Sequence, residues 1–248
     1  MNFQDIEVSS IGEFSEAVLE RSDTSVVWFR GQRDSEWKLE PSIARDNVAA
    51  EAEHMSIKRF KQNAVPFLKE RPGNEWEWIF LMQHHRAPTR LLDWSESALV
   101  ALYFALESPA DAPDEADAVV WCLNPIGLNA SAGHKRIYEK DILSFTVDVQ
   151  LDNYLPENVG TEADLDPVAG IGPRNSARMV AQAGTFTITH SRHHPIDEVK
   201  NGEFVCRILI NNQYKEKLRK ELQALGVNEL LLFPDLDRVA IHTGTLFK

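Results

Sequence analysis

His84, His85, Arg86, Thr89, Arg90, Asp93 and Ser95 fall within residues 83–105, QHHRAPTRLLDWSESALVALYFA, with Pro88 and Trp94 among them and an apolar run behind. Imidazoles, guanidiniums, a carboxylate and hydroxyls so close together can bind an anion, move a proton, or pair with one another. An Arg90–Asp93 ion pair inside one strand is the plain structural alternative, and from residue types alone it ranks ahead of catalysis. A second concentration is Arg30-Gly31-Gln32, which ends the β-branched and aromatic run TSVVWF at residues 24–29. Gly31 there lets the backbone turn sharply or lets a ligand approach closely.

The elements that must position these residues follow from local signals. Pro88 disfavours helix at Ala87, so the helix running through residues 76–85 stops there. Residues 89–94 read as a short strand carrying Arg90 and Asp93. Ser95 is a suitable N-cap for the next helix, in which Ala98, Leu99, Leu102, Tyr103 and Leu106 recur at helical spacing. Upstream, Ser10 and Glu13 have the spacing of a capping box, and Trp37 and Leu39 pack back on the 24–29 strand. Residues 47–70 form a helix that Pro66 kinks or breaks, and Asn74 caps the helix leading into the central stretch. Residues 118–123, 181–189 and 203–210 read as strands, and residues 148–175 as a long irregular loop. Gly226 closes an amphipathic helix over 214–225, and residues 230–233 form an apolar strand after Glu229.

A chain of 248 residues with 43% hydrophobic content buries a substantial core, and no linker divides it. The reading is a single α+β domain over residues 1–248. Cys122 and Cys206 each sit in an apolar run, as buried reduced thiols do in a cytoplasmic protein. The first residues have no secretory-signal pattern, and no apolar run is long enough to span a membrane. A net charge of −12 argues against broad affinity for nucleic acid but leaves room for a local basic groove, with Arg86/Arg90 or Arg174/Arg178 and His190–His194 as candidates. Phosphate-loop, dinucleotide-fold, zinc-protease, CxxC and nucleophile-elbow motifs are absent from the sequence. His190, His193, His194 and Asp197 could ligate a metal, but nothing else completes such a site and no metal is expected. His84 and His85, adjacent on a helix, point apart and make a poor chelating pair.

Three blocks resemble the FRG domain family: Trp28-Phe29-Arg30-Gly31-Gln32; residues 83–94 with Ala101-Leu102-Tyr103-Phe104-Ala105; and residues 181–186 with 232–237. The likeness covers about residues 25–242. It departs at His85-Arg86-Ala87, where the family usually has His-Tyr-Gly. A further likeness is to mono-ADP-ribosyltransferases of the arginine–serine–glutamate type. Phe29-Arg30-Gly31 is similar to their first element, and Asp93-Trp94-Ser95 with the following helix to their second. Residues 228–234, carrying Glu229, are similar to the third.

That second resemblance implies an ADP-ribosyltransferase fold with split mixed and antiparallel sheets, and NAD⁺ as co-substrate. It implies transfer of ADP-ribose to RNA, DNA or protein, in a microbial toxin or anti-phage effector that a neutralising antitoxin or chaperone would accompany. Its implied catalytic residues are Glu229, Arg30 and Ser95. Arg30, Gly31, Gln32, His84, Thr89, Arg90, Asp93, Trp94 and Tyr103 are the implied NAD⁺ contacts. Glu229 would stabilise positive charge on the ribose, Arg30 would hold the pyrophosphate, Ser95 would orient either, and Trp94 or Tyr103 would stack on nicotinamide. Each has a structural alternative. Arg30 can pair with Asp93, Ser95 can cap, Trp94 and Tyr103 can be core, and Glu229 can be a solvated residue. Asp93 and Glu96 are rival carboxylates, and Gln182 and Arg178 either face the cleft or finish a sheet edge. The alternative function is a non-catalytic FRG module that binds a nucleotide or protein.

Overall fold

A computed structural model describes residues 4–22, 25–45, 50–108, 115–133, 141–158 and 164–245. Among them lie strands β1 (Ile6–Glu7), β2 (Trp28–Gln32), β3 (Leu91–Ser95), β4 (Ala118–Leu123), β5 (Leu143–Ser144), β6 (Val168–Ile171), β7 (Gly184–Ile188) and β8 (Val205–Ile210). They form one mixed sheet in the order β1-β8-β4-β2-β3-β7-β6-β5. Only the outer pairs β1–β8 and β5–β6 run parallel. The helices are α1 (Ile11–Ser22), α2 (Ser42–Arg45), α3 (Ala50–Ala64), α4 (Glu75–His84), α5 (Ala98–Ala105), α6 (Pro125–Ser131), α7 (Ala177–Ala181), α8 (Asn212–Ala224), α9 (Glu229–Leu232) and α10 (Leu236–Thr245). No described helix is long and apolar enough to cross a membrane.

The core explains why β4 reads AVVWCL without polar interruption: every residue of it is buried, because helices or loops cover both faces. On one face Phe29, Val120, Cys122 and Ile208 meet Phe14 of α1, Leu102 of α5 and Leu218 of α8. Further along, Leu91, Phe186 and Ile188 meet α3 and α4 through Ile57, Ile79 and Phe80. The other face packs Trp28, Leu92, Trp94 and Trp121 on Leu128, Ile196 and Val199.

Several expectations change. Arg30, Gly31 and Gln32 lie within β2, held in register against Trp121, Val120 and Val119 of β4, so Gly31 makes no turn. Its role is packing: a Cβ there would stand 1.8 Å from the Ala101 carbonyl oxygen, and only glycine lets the α5 backbone rest on the strand. Residues 230–233 form no strand. Asn228 accepts a hydrogen bond from the Leu231 N–H at 3.1 Å and opens α9, which buries Leu232 and leaves Leu231 exposed. The 148–175 region holds β6 and a 3₁₀ turn (Val149–Tyr154), and its residues 159–163 lie outside the described ones. Residues 47–49 of the expected 47–70 helix are also outside them, and that helix gives way to a 3₁₀ turn at Val65–Phe67 around Pro66. The expected division into separate sheets is replaced by one sheet with a narrow waist. β2 and β3 pair only at Phe29 and Ser95, whereas β3 and β7 pair over five positions.

Candidate functional site

Beyond the Phe29–Ser95 pair, β2 and β3 splay apart and leave a fork in the middle of the sheet. The fork is bridged by a side chain: Arg30 Nη1 donates to the Asp93 carbonyl oxygen at 2.7 Å. Around it opens a cavity of about 490 Å³, walled by Phe29, Phe80, Trp94, Val100, Phe104 and Phe186, with polar groups from both strands and from α2, α4 and α7. Its charged lining is Arg30, Arg33, Arg45 and Arg178 against Asp93 and Glu107, so this acidic protein carries a locally cationic hollow. Such a volume with aromatic walls and few converging polar groups suits a small organic ligand.

Burial presses the Arg30 guanidinium down to about 10, with the Asp93 carboxylate opposing that shift and Arg45 adding to it. It stays charged at neutral pH, yet its Nε is buried without a hydrogen-bond partner, an unsatisfied donor that an anionic ligand oxygen would relieve. Burial likewise lowers Arg178, again opposed by Asp93. Asp93 Oδ2 accepts from Gln83 Nε2 at 2.7 Å, and the Thr89 hydroxyl donates to Gln83 Oε1. Gln83 is thus locked as the positioner of Asp93. His84 lies beside them; burial, then His85 and Arg178, lower its pKa and favour the neutral imidazole. The His84 and His85 rings meet edge to face at 5.0 Å rather than pointing apart, because α4 ends at His84. Arg86 takes a left-handed φ of 63°, and the N–H of Ala87 returns to the Met82 carbonyl at 3.0 Å, closing that helix.

Of the residues singled out in the sequence, Arg30, Gly31, Gln32, His84, Asp93, Trp94 and Ser95 line this cavity, and Thr89, Arg90, Tyr103 and Glu229 do not. Gln32 is fully engaged, accepting from Trp121 Nε1 at 2.7 Å and donating to the Lys38 carbonyl at 3.2 Å. Trp94 is a core residue whose Nε1 donates to Thr187 Oγ1 at 2.9 Å. Ser95 is not the N-cap; Ser97 holds that position. The Ser95 hydroxyl donates to the Gln182 carbonyl at 2.7 Å and accepts from the Ser97 N–H at 3.0 Å, so it pins α7 to β3 and orients neither Arg30 nor Glu229. Arg90 does not pair with Asp93. It is fully buried on Glu53, with Nε to Oε1 at 2.9 Å, and also donates to the Tyr154 carbonyl.

Glu229 and Tyr103 stand in a neighbouring cleft of about 390 Å³, where the Glu229 carboxylate pairs with Arg238. Burial and then Glu229 raise the Tyr103 hydroxyl to about 12. Arg178 of the first hollow and Arg238 of the second both stand over the Phe233 ring, at 4.9 and 5.5 Å. The histidine cluster is likewise rearranged: His190 and His194 face Asp164 at 3.1 and 3.5 Å, while Asp197 accepts from the Leu39 N–H. Among the described residues no group of three or more His, Cys, Asp or Glu is placed to hold a metal.

Gln83, Arg33, Trp37, Arg45 and Glu107 were not singled out for the site. Gln83 opens the second block and Arg33 and Trp37 follow the first, whereas nothing local marks Arg45 or Glu107. The site is thus the forked centre of a mixed α/β sheet. Residues 25–114 match the FRG domain family, a span that contains β2, β3 and α5 and therefore both arms of the fork. No curated protein and no solved structure matches the chain.

Proposed function

We propose that the cavity binds NAD⁺ and that the protein moves its ADP-ribose to a macromolecular acceptor, nucleic acid or protein. The observation that carries this is the convergence of Arg30, Arg45 and Arg178 on one aromatic-walled hollow that also holds the Asp93 carboxylate. Guanidiniums suit a pyrophosphate, whose oxygens accept their planar fork of donors. Breaking the nicotinamide–ribose bond develops positive charge on the ribose, and a carboxylate fixed beforehand stabilises that charge without reorganising. Asp93, oriented by Gln83, takes the role that the resemblance gives to Glu229, whose carboxylate is engaged by Arg238 outside the hollow. Neutral His84 and the Gln83 amide supply further hydrogen-bonding groups for the ribose. Consumption of NAD⁺ or modification of an essential acceptor would make such a protein a toxin or anti-phage effector.

The test is nicotinamide release from NAD⁺ with and without cell lysate. Asp93→Asn should lower release by roughly 10²-fold or more, the usual consequence of losing a preorganised charge. Arg30→Ala should weaken NAD⁺ binding, and Glu229→Gln should stay within a few-fold of the parent. Full turnover by Asp93→Asn would reassign the carboxylate; absence of both binding and release would end the NAD⁺ reading. One observation favours a second reading. The hollow's Asp93 is already engaged by Gln83, and Glu229, the carboxylate of the motif, lies in the neighbouring cleft, as in a module that binds a nucleotide without turning it over. NAD⁺ binding without release in any fraction would select that alternative.

A further inference from the structure

We infer that Trp37 is the stacking platform for the adenine ring of the dinucleotide and so fixes which way round NAD⁺ enters the cavity. This rests on the NAD⁺ reading above. The chain has six tryptophans. Trp28, Trp76, Trp78, Trp94 and Trp121 are all buried, at 7% exposure or less. Trp37 instead keeps 41% of its surface exposed while lining the cavity. An indole left half in water at the edge of a hollow is available to a flat ligand, and Arg33 already stacks on it with Cζ 5.3 Å from the ring centroid.

The loop bearing Trp37 is anchored on both sides. The Trp37 N–H donates to the Asp34 carbonyl at 3.3 Å, the Lys38 carbonyl accepts from Gln32, and the Leu39 N–H donates to Asp197 Oδ1 at 2.8 Å. Leu39 itself is fully buried. The backbone that carries the ring is therefore anchored before any ligand arrives, which lowers the entropic cost of stacking.

Charge sets the direction. The nicotinamide of NAD⁺ is a cationic ring, disfavoured beside Arg33 and Arg45 and drawn to the Asp93 carboxylate, which there offsets Arg30 and Arg178. Adenine is neutral and stacks without penalty on an indole beside the Arg33 guanidinium. The dinucleotide then lies with adenine on Trp37, its phosphates at Arg30 and Arg45, and the bond to be broken beside Asp93.

The uneven burial of the tryptophans supplies the readout. Ligand-induced change in tryptophan fluorescence should be measured with NAD⁺, ADP-ribose, AMP, nicotinamide mononucleotide, pyrophosphate and a single-stranded oligonucleotide. Trp37→Phe serves to isolate the Trp37 signal, and calorimetry gives affinities. NAD⁺, ADP-ribose and AMP should perturb Trp37, whereas nicotinamide mononucleotide and pyrophosphate should not. Trp37→Ala should weaken the adenine-bearing ligands by roughly 5- to 150-fold, the range for loss of one base–aromatic stack, and leave pyrophosphate unchanged. Equal NAD⁺ affinity in the parent and Trp37→Ala would overturn the inference while leaving the cavity reading intact. So would perturbation by nicotinamide mononucleotide or by the oligonucleotide but not by AMP. No binding of any nucleotide to the parent protein would overturn both.

Discussion

Replacing Gly31 by alanine separates two roles for that residue, ligand approach and helix packing. In the structure the added methyl carbon would stand 1.8 Å from the Ala101 carbonyl oxygen and 2.5 Å from the Ala105 nitrogen. The first is about 1.6 Å inside the 3.4 Å at which ordinary contact begins. Both obstacles are backbone atoms of α5, so no rotamer change relieves them and the helix itself must move. Ala101, Leu102 and Ala105 are essentially fully buried, and displacing them opens gaps against Phe29 and Val120. Overpacking usually costs about 1–3 kcal/mol, and a rigid helix in the way puts this case at about 3 kcal/mol or above. For a chain of this size that is a fall of roughly 6–12 °C in the unfolding midpoint. Urea titration and calorimetry would measure it, with Gly12→Ala as comparator. At Gly12 the nearest atom to a new Cβ is Ser10 Oγ at 3.8 Å, and alanine in α1 should be neutral or stabilising by up to about 1 kcal/mol. A Gly31→Ala protein that loses under about 1 kcal/mol yet binds ligand poorly would refute the packing argument and restore glycine as a point of ligand approach.

Two further expectations concern buried charge. Glu53→Gln or Arg90→Met should each destabilise the fold by about 3–5 kcal/mol, because either change strands its partner without compensation between α3 and β3; chemical denaturation measures this, and a loss below about 1 kcal/mol would contradict it. Burial works to raise the Asp164 carboxyl, but hydrogen bonds from Ser191, His190 and Arg192 outweigh it and hold the group below its ordinary value. A depressed folded-state pKa means the stabilisation is present above the unfolded value near 4 and is lost as pH falls through the lower folded one. His190, Arg192 and His194 face this carboxylate, so Asp164→Asn should be less stable near neutrality and show a shallower acid limb of melting temperature against pH; parallel limbs would sink the assignment.

What was legible in the sequence was local. Asn74 as a cap, accepting from the Glu77 N–H at 3.0 Å, and Gly226 at a φ of 82° are decided by a few neighbouring residues. β4 announces itself because six consecutive apolar residues bounded by polar ones suit a strand buried on both faces. The short strands β5 and β6 carry no such signal. They are two and four residues long, and they exist through pairing with each other and with β7. Arg90 shows the same limit: its partner is 37 residues upstream on α3, and Asp93, three positions along, is the obvious but wrong choice from sequence. The two motifs that line the cavity could be read directly, but the fork between them could not, since it is set by where the β2–β3 ladder stops.

Glu229 shows why order and spacing can locate a motif without locating its chemistry. Asn-Glu followed by three leucines and a phenylalanine reads as a carboxylate at the head of a strand. The same residues satisfy a helix start: Asn228 caps, Glu229 stands in the first turn where the helix dipole favours a negative charge, and Leu232 turns inward. Arg238, on the next helix, then pairs with it. Cap, dipole and ion pair together account for a glutamate here without any ligand. Asp93 is placed differently. It is exposed at the mouth of a cationic hollow, its carboxylate is held by a glutamine whose other end is fixed by Thr89, and it offsets the cost of burying the Arg30 and Arg178 guanidiniums. Of the two carboxylates only Asp93 lies in the hollow to which the NAD⁺ proposal assigns the ligand, which is why Asp93 rather than Glu229 is the carboxylate to substitute first.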